Sequence, residues 1–412
     1  MKPAKVILKR GRANPVWRGH PWIFSGSIET LPSDIAPGGV VAVHDFEQRL
    51  IGYGFANPRS QITVRMFQLG EFSTQPVATT AEHSPPQHAL LQDLFSRRFE
   101  DAALLRRRIG LPSSDTTAYR LFNSEGDGLP GLVIDRFGDV AVVQFSILGM
   151  QLCRDSVHQA LRKLPQPPTC VVENTGSHFA QIEGLVPQQR VVCGDEKQLA
   201  GGVSCSENGL RLRVDVKDGQ KTGAFLDQRE NRLLVARHCA GAKVLDLYSY
   251  MGGFALTALR HGATEATCVD SSEKALRLCT EHSRLNDLPT PQTVFSDVFH
   301  FLEAATPLSY DVTVVDPPKF ARAHKDLEAA LKGYRRLNAL ALATVRRGGL
   351  LATCSCSQLV DEEVFLRMLA TAASDAGRRV TVLYQGGQGP DHPVPPAFAE
   401  GRYLKFVLLG VI

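Results

Sequence analysis

An aspartate and a cysteine, each at the end of an apolar run, are the residues best suited to chemistry in this 412-residue chain. Asp316-Pro317-Pro318-Lys319-Phe320 follows residues 312–315, which read as a buried parallel strand. Ser355-Cys356-Ser357 follows residues 350–353, after a long helical segment closed by Gly348-Gly349. In a doubly wound sheet, ligands sit outside the carboxyl ends of the strands, so acid and thiol are expected to face one pocket. Such a pair suits carbon methylation of a pyrimidine. C5 of cytosine or uracil is a poor nucleophile, and a thiolate adding at C6 pushes electron density onto it. C5 then attacks a methyl donor, and one hard step becomes two easier ones. A carboxyl such as Asp316, protonating or hydrogen-bonding the ring near N3, makes C6 electrophilic. Lys319, in the same turn, could touch phosphate or the base; its plainer reading is a solvent-facing turn residue.

A methyl donor needs its own site, and residues 244–254 have the form of one. Val244-Leu245-Asp246-Leu247 reads as a strand, Tyr248-Ser249-Tyr250-Met251-Gly252-Gly253 as a tight turn, and Phe254 as a helix start. Glycines at such a turn allow close approach to the backbone. The spacing is not Gly-x-Gly-x-x-Gly, which disfavours a dinucleotide pyrophosphate. Asp270, followed by Ser271, ends the next strand, where a carboxylate commonly grips ribose hydroxyls. Asp297, before Val298, could accept from an adenine amino group, and Asp246 would lie near a cationic methionyl end. These three acids in order suit S-adenosylmethionine. Singly, each is as readily a helix N-cap.

The elements that position these residues form an alternation of strands and helices from about residue 201 onward. Strands are expected at 244–247, 265–269, 293–295, 312–315 and 350–353, with helices at 254–261, 272–285 and 324–346: a doubly wound α/β domain. Strands at 380–384 and 403–409 complete it. Residues 1–72 alternate short apolar strands (6–8, 40–43, 51–55, 62–67) with turn residues, as in a small all-β barrel. A Ser/Thr/Pro/Gln-rich linker occupies 73–92, with helical spacing at 88–110. Residues 93–200 read as a central α+β domain.

At this length two or three domains are expected, and 43% hydrophobic with 21% charged residues is ordinary soluble material. No apolar stretch reaches a membrane span, and the basic start lacks the apolar core of a signal peptide. Nine scattered cysteines without a Cys-x-x-Cys spacing argue against a metal centre and for a reducing, cytoplasmic location. Cys153, Cys170, Cys193, Cys239, Cys268 and Cys279 read as small core residues. The net charge of +4 is small, but its distribution is uneven. Lys2, Lys5, Lys9, Arg10, Arg12 and Arg18 form an acid-free start. Further clusters surround Arg97, Arg98, Arg106, Arg107 and Arg108, and Lys332, Arg335 and Arg336. Such patches suit phosphate backbones, and Trp17, Trp22 and Phe24 could stack on bases. Solvated surface and barrel core are the plainer readings. Arg229 and Arg232 could reach a methionyl carboxylate or RNA, or salt-bridge a helix.

In order along the chain, these motifs resemble the RlmI family of bacterial 23S rRNA cytosine-C5 methyltransferases. Lys9-Arg10-Gly11-Arg12 with His20-Pro21-Trp22-Ile23-Phe24-Ser25-Gly26 is similar to the family's N-terminal PUA domain, an RNA-binding barrel. Arg120-Leu121-Phe122-Asn123 with residues 126–135 resembles its central domain. Gln220-Lys221-Thr222-Gly223 and Leu226-Asp227-Gln228-Arg229 resemble the segment leading into its methyltransferase domain, and Asp391-His392-Pro393 and Tyr403-Leu404-Lys405 its C-terminal loop and last strand. The resemblance implies a Rossmann-like class I methyltransferase domain, S-adenosylmethionine as cofactor and a C6 adduct to Cys356. It also implies cofactor contacts from the Gln220–Gly223 segment, Asp270, Asp297 and Asp316, with 23S rRNA or a large-subunit precursor as partner and a homodimer as assembly. Related pyrimidine methyltransferases carry a second cysteine after the paired prolines; Lys319 stands there in this family. Uracil-C5 methylation uses the same thiol logic, purine amino methylation needs no cysteine, and a non-catalytic RNA-binding or assembly protein needs no donor. Cys354, two residues before Cys356, competes as nucleophile, with a buried neighbouring thiol as its plainer role.

Overall fold

The computed structural model describes residues 3–70, 87–176, 181, 183–217, 219, 222–320 and 324–412. Two compact units emerge. One comprises Met1–Cys205, Val214–Ala224 and Pro390–Gly401; the other comprises Ser206–Arg213, Phe225–Gly389 and Arg402–Ile412.

The first unit contains two sheets. β1 (Ala4–Leu8), β2 (Trp22–Phe24), β3 (Ile28–Thr30), β4 (Gly39–His44), β5 (Leu50–Ala56) and β6 (Ile62–Leu69) form a six-stranded sheet in the order β2-β6-β5-β4-β1-β3. Its alternating apolar residues, among them Val6, Leu8, Val41, Val43, Ile51 and Val64, make one core. The two shortest strands carry no period long enough to read from sequence. Helix α1 (Gln87–Arg108) begins inside the span expected as linker, and residues 71–86 of that span lie outside the described residues. The second sheet runs β11-β10-β9-β8-β7, from β7 (Ala118–Asn123), β8 (Leu132–Phe137), β9 (Val140–Phe145), β10 (Cys170–Thr175) and β11 (Gln188–Cys193). Helices α1 and α2 (Arg154–Arg162) bury Leu94, Phe95, Phe99, Val157 and Leu161 together with that sheet's Phe122, Ile134 and Val143.

A hairpin of β12 (Val203–Glu207) and β13 (Leu210–Val214) precedes α3 (Arg229–Ala236). The second unit then builds a seven-stranded sheet. Its strands are β14 (Lys243–Leu247), β15 (Glu265–Asp270), β16 (Gln292–Phe295), β17 (Tyr310–Val315), β18 (Val345–Ser355), β19 (Val380–Gly386) and β20 (Lys405–Val411), in the order β16-β15-β14-β17-β18-β20-β19. Only β20 runs against the rest. The connecting helices are α4 (Gly253–Arg260), α5 (Glu273–Leu285), α6 (Val298–Ala304), α7 (Leu327–Thr344) and α8 (Glu362–Asp375). Their apolar faces, with Tyr334, Leu337, Phe365 and Leu369, share a core with Leu245, Leu247, Val269 and Val315.

The expected alternation of strands and helices is present. Its boundaries differ most at β18, which begins at Val345 where residue 350 is expected. α7 ends at Thr344, and Gly348-Gly349 lies within β18 rather than closing the helix. Gly348 has φ +82° and the β17–β18 register shifts there, so the glycines serve a bulge. Beyond it the register aligns Leu247, Val315 and Thr353. Chain order also reverses between β14 and β17, the switch point at which such sheets bind ligands. Tyr248, Asp316 and Cys354 therefore emerge side by side at one edge.

Candidate active site at the carboxyl edge of the seven-stranded sheet

Four side chains meet at that edge. Asp316 Oδ1 accepts from Gln228 Nε2 at 3.0 Å, and the same amide nitrogen lies 3.3 Å from Cys354 Sγ. Gln228 is itself oriented by Asn231, whose Nδ2 donates to its Oε1 at 2.6 Å. The wholly buried Cys354 thiol is pushed far above its ordinary range, by burial first and by the Asp316 charge next. Such a thiol is inert. Cys356 lies just past the end of β18 and is partly exposed.

Its neighbours hold that turn. Ser355 Oγ and Ser357 Oγ lie 3.1 and 3.2 Å from the Tyr334 hydroxyl of α7, and the Ser357 amide donates to Ser355 Oγ at 3.4 Å. Lys405 Nζ donates to the Ser357 carbonyl at 2.6 Å. Pro317 is buried behind Asp316, while Pro318 and Lys319 face solvent.

Asp246 lies inward of this group. Its Oδ2 accepts from the Ala255 amide at 3.0 Å, in the first turn of α4, while the buried Oδ1 has no partner among the described residues. Burial pushes its carboxyl up to about 7; Asp316 and Asp270 add to the rise, and the Ala255 amide and Arg232 oppose it. A buried acid in this condition calls for a cation. Asp270 is fixed by two backbone amides, Tyr250 onto Oδ2 and Ser272 onto Oδ1, each at 2.8 Å.

The turn between them is strained: Tyr248 and Tyr250 have φ of +59° and +49°, a region such side chains avoid. Gly252 and Gly253 follow. The space a Cβ would take at Gly252 holds Cys279 Sγ at 2.2 Å, and at Gly253 it holds Arg232 Nε at 2.6 Å. The expected room for a ligand is thus filled by protein, and what this turn offers a ligand is backbone.

Comparison with known proteins gives the family. Residues 6–69 match the family model of a PUA-like domain, and residues 158–393 that of the S-adenosylmethionine-dependent methyltransferases. Ribosomal RNA large subunit methyltransferase I of Aeromonas hydrophila is 36% identical over 407 residues, covering 98% of this chain and 98% of its own. The Klebsiella pneumoniae protein of that name is 35% identical over 409 residues, covering 97% and 96%. The chain belongs to the ribosomal RNA large subunit methyltransferase I family.

Among solved structures, one from Streptococcus mutans, assigned to the SAM-dependent methyltransferases, shares the fold with a TM-score of 0.80. It is 23% identical, with 99% of this chain and 100% of that one covered. Another, crystallised with SAH, gives 0.81 at the same identity and coverage.

The cofactor of the methyltransferase family is S-adenosylmethionine. The unpartnered Asp246 Oδ1 fits its cationic methionyl end, and the anchored Asp270 carboxylate at the tip of β15 retains lone pairs for hydroxyl donors. Asp297 caps α6, its Oδ1 accepting from Phe299 and His300 at 2.9 and 3.1 Å, as the plainer reading had it. Val298 is buried at the start of that helix, Ser271 is exposed, and Ser249 is buried with its amide on Val269 O. In the first unit, Thr222 Oγ1 donates to Asp135 at 2.6 Å, and Gly223, at φ +127°, leaves no room for a Cβ beside Val214. Gln220 and Lys221 lie outside the described residues.

The basic clusters look different in three dimensions. Arg106 is buried, its guanidinium bidentate on Asp127 at 2.6 and 2.8 Å, so it is structural and not a surface charge. Arg335 pairs with Asp375, Arg336 with Glu303, and Lys332 with Glu328, so the third cluster is balanced by acids. Lys9, Arg10 and Arg12 remain exposed, Arg10 stacking on Phe46. Trp22 is half-buried, donates to Glu125 at 2.8 Å and packs edge-on against Phe398, whereas Trp17 and Phe24 are exposed. His392 is buried beside Asp391, whose Oδ2 accepts from the Arg120 amide. Arg232 bonds Glu207 and the Phe225 carbonyl, which makes it an internal brace.

From the sequence, Gln228 and Lys405 enter only as parts of motifs, and Tyr334 does not enter at all. A polar residue within a buried strand, as Lys405 is ahead of Phe406–Leu409, was the signal available.

Proposed function

We propose that this methyltransferase forms 5-methylcytosine in large-subunit ribosomal RNA, with Cys356 as nucleophile and Asp316 as the acid that activates the ring. One observation carries the reading. Of two cysteines at the sheet edge, Cys354 is sealed with its thiol driven up, while Cys356 is half-open on a turn braced by Tyr334. The substrate class rests on the curated relatives, named as ribosomal RNA large subunit methyltransferases, and on the match to a PUA-like domain.

In this mechanism the Cys356 thiolate adds to C6 of an unstacked cytosine, forming the S–C6 bond as the ring's double-bond pair moves toward C5. Asp316, oriented by Gln228, enters as the carboxylic acid, gives its proton to N3 as the S–C6 bond forms and takes it back as the ring is restored. S-adenosylmethionine, when bound, supplies an electrophilic methyl group on a sulfonium. Asp246 would hold its methionyl ammonium and Asp270 its ribose hydroxyls, with the backbone of the Tyr248–Gly253 turn beside them. Once C5 carries the methyl group, a solvent water takes the C5 proton, the C5–H pair re-forms the double bond and the S–C6 pair returns to sulfur. Lys9, Arg10 and Arg12 contact phosphates.

Large-subunit RNA transcribed with 5-fluorocytidine tests this, because fluorine at C5 blocks release of the enzyme. With cofactor present, wild-type protein and Cys354→Ala are expected to become linked to RNA, and Cys356→Ser not. Linkage through Cys354, or only to 5-fluorouridine RNA, would replace the nucleophile or the base; turnover by Cys356→Ser would remove the covalent mechanism.

A further inference from the structure

Lys405 opens β20 directly opposite Ser355, the last residue of β18. It is only 7% exposed, followed by the buried Phe406, Val407, Leu408 and Leu409. An ammonium in such a place must find acceptors. Nζ donates to Ser357 O at 2.6 Å and to Tyr403 O at 2.7 Å. A lysine ammonium has three donors and no acceptor, so two carbonyls at this range favour its charged form. Ser357 is the residue after Cys356, and its carbonyl is therefore tied to a fixed positive charge one peptide from the sulfur. Cys356 is also the foremost charge partner of Lys405, ahead of Lys319, which opposes it, and Asp361. Tyr334 and Cys354 face Cys356 from α7 and β18, and Asp316 bears on Cys354 from the end of β17. Among these groups Asp316, when ionised, disfavours a second negative charge. Among the described residues, Lys405 is the one that combines positive charge, burial and a backbone tether to the Ser-Cys-Ser turn.

We propose that Lys405 is the positioning residue that keeps Cys356 in its thiolate form, through a buried ammonium fastened to the turn that presents the sulfur. The proposal rests on the reading of Cys356 as nucleophile. Cys356 gives its proton to solvent before attack. The thiolate then forms and later releases the S–C6 bond, and Lys405 keeps its proton throughout. Burial pushes the ammonium from 10.5 down to about 8, so it is charged at neutral pH and fades in mildly alkaline solution.

The test reads the thiol without RNA or cofactor. Full-length protein is alkylated with iodoacetamide over a range of pH, and the Cys356 peptide is quantified by mass spectrometry. In wild type the midpoint should fall below the ordinary thiol value of about 8.5. Lys405→Met should raise it by about one unit, an approximately tenfold loss of labelling at neutral pH, and Lys405→Arg should restore most of it. Lys405→Gln can still donate to the two carbonyls but carries no charge; it should behave like Lys405→Met. A purely structural lysine would alter the labelling plateau without moving the midpoint. A wild-type midpoint at or above the ordinary value, or a Lys405→Gln midpoint equal to wild type, would overturn the proposal. Failure of 5-fluorocytidine trapping at Cys356 sinks the nucleophile reading separately, since alkylation needs no turnover.

Discussion

Asp246 offers the sharpest quantitative test of how this site holds its cofactor. The carboxyl is buried, one oxygen bonded to the Ala255 amide and the other without a partner among the described residues, and its pKa is raised from 3.8 to about 7. In the absence of cofactor the folded state keeps a proton that the unfolded state gives up near pH 4. Stability is therefore fully present below that value and falls as pH rises to about 7. A shift of just over three units corresponds to about 4 kcal/mol at about 1.4 kcal/mol per unit. A cation at Oδ1 removes that penalty, so under the proposed role of Asp246 its ionised form is the one expected to bind the methionyl ammonium. If Asp246 is about half ionised at pH 7 and about 3% ionised at pH 5.5, the affinity for S-adenosylmethionine drops about 15-fold between them.

Isothermal titration in two buffers of different ionisation enthalpy reads both the affinity and the proton. Near pH 6 about one proton should leave per cofactor bound. Asp246→Asn should bind weakly, with little pH dependence, and should unfold at a higher temperature than wild type near pH 7, because an amide carries no ionisation penalty. An affinity for wild type that changes less than about threefold over that range, or an Asn variant with the wild-type slope, would refute the argument.

Other positions give simpler outcomes. Gly252→Ala places a Cβ 2.2 Å from Cys279 Sγ at φ +77° and should cost about 3 kcal/mol in urea unfolding; adding Cys279→Ala should return roughly half, leaving the backbone strain. Arg106→Met leaves Asp127 buried without its bidentate partner, a loss of about 3–5 kcal/mol by the same measurement. For Lys405, a folded-state pKa lowered to about 8 makes the burial penalty complete below that pH and absent above about 10.5. Wild-type unfolding free energy should therefore rise relative to Lys405→Met by up to about 3 kcal/mol as pH climbs through that window; parallel curves would contradict it.

What the sequence disclosed follows from how far each signal reaches along the chain. Strands buried on both faces and the acids at their tips are local patterns, and so Asp246, Asp270 and Asp316 could be set at one edge before any coordinates existed. The register of β14, β17 and β18 then turns three separate runs into one row. Charge clusters were less legible, because the acid that neutralises a base is distant in sequence. Glu303 and Asp375 answer Arg336 and Arg335 from other helices, and Asp127 draws Arg106 inside. Glycine was ambiguous for a similar reason. An absent side chain at Gly252 reads equally as room for a ligand or room for Cys279, and only packing distinguishes them. Lys405 was hidden by the longest reach of all, since its role depends on an antiparallel pairing with Ser355 that no period in either segment encodes. Residues whose function lies in their partners, rather than in their own chemistry, are where reading a chain linearly stops. The Ser-Cys-Ser turn with its buried ammonium is the place in this enzyme where that boundary falls.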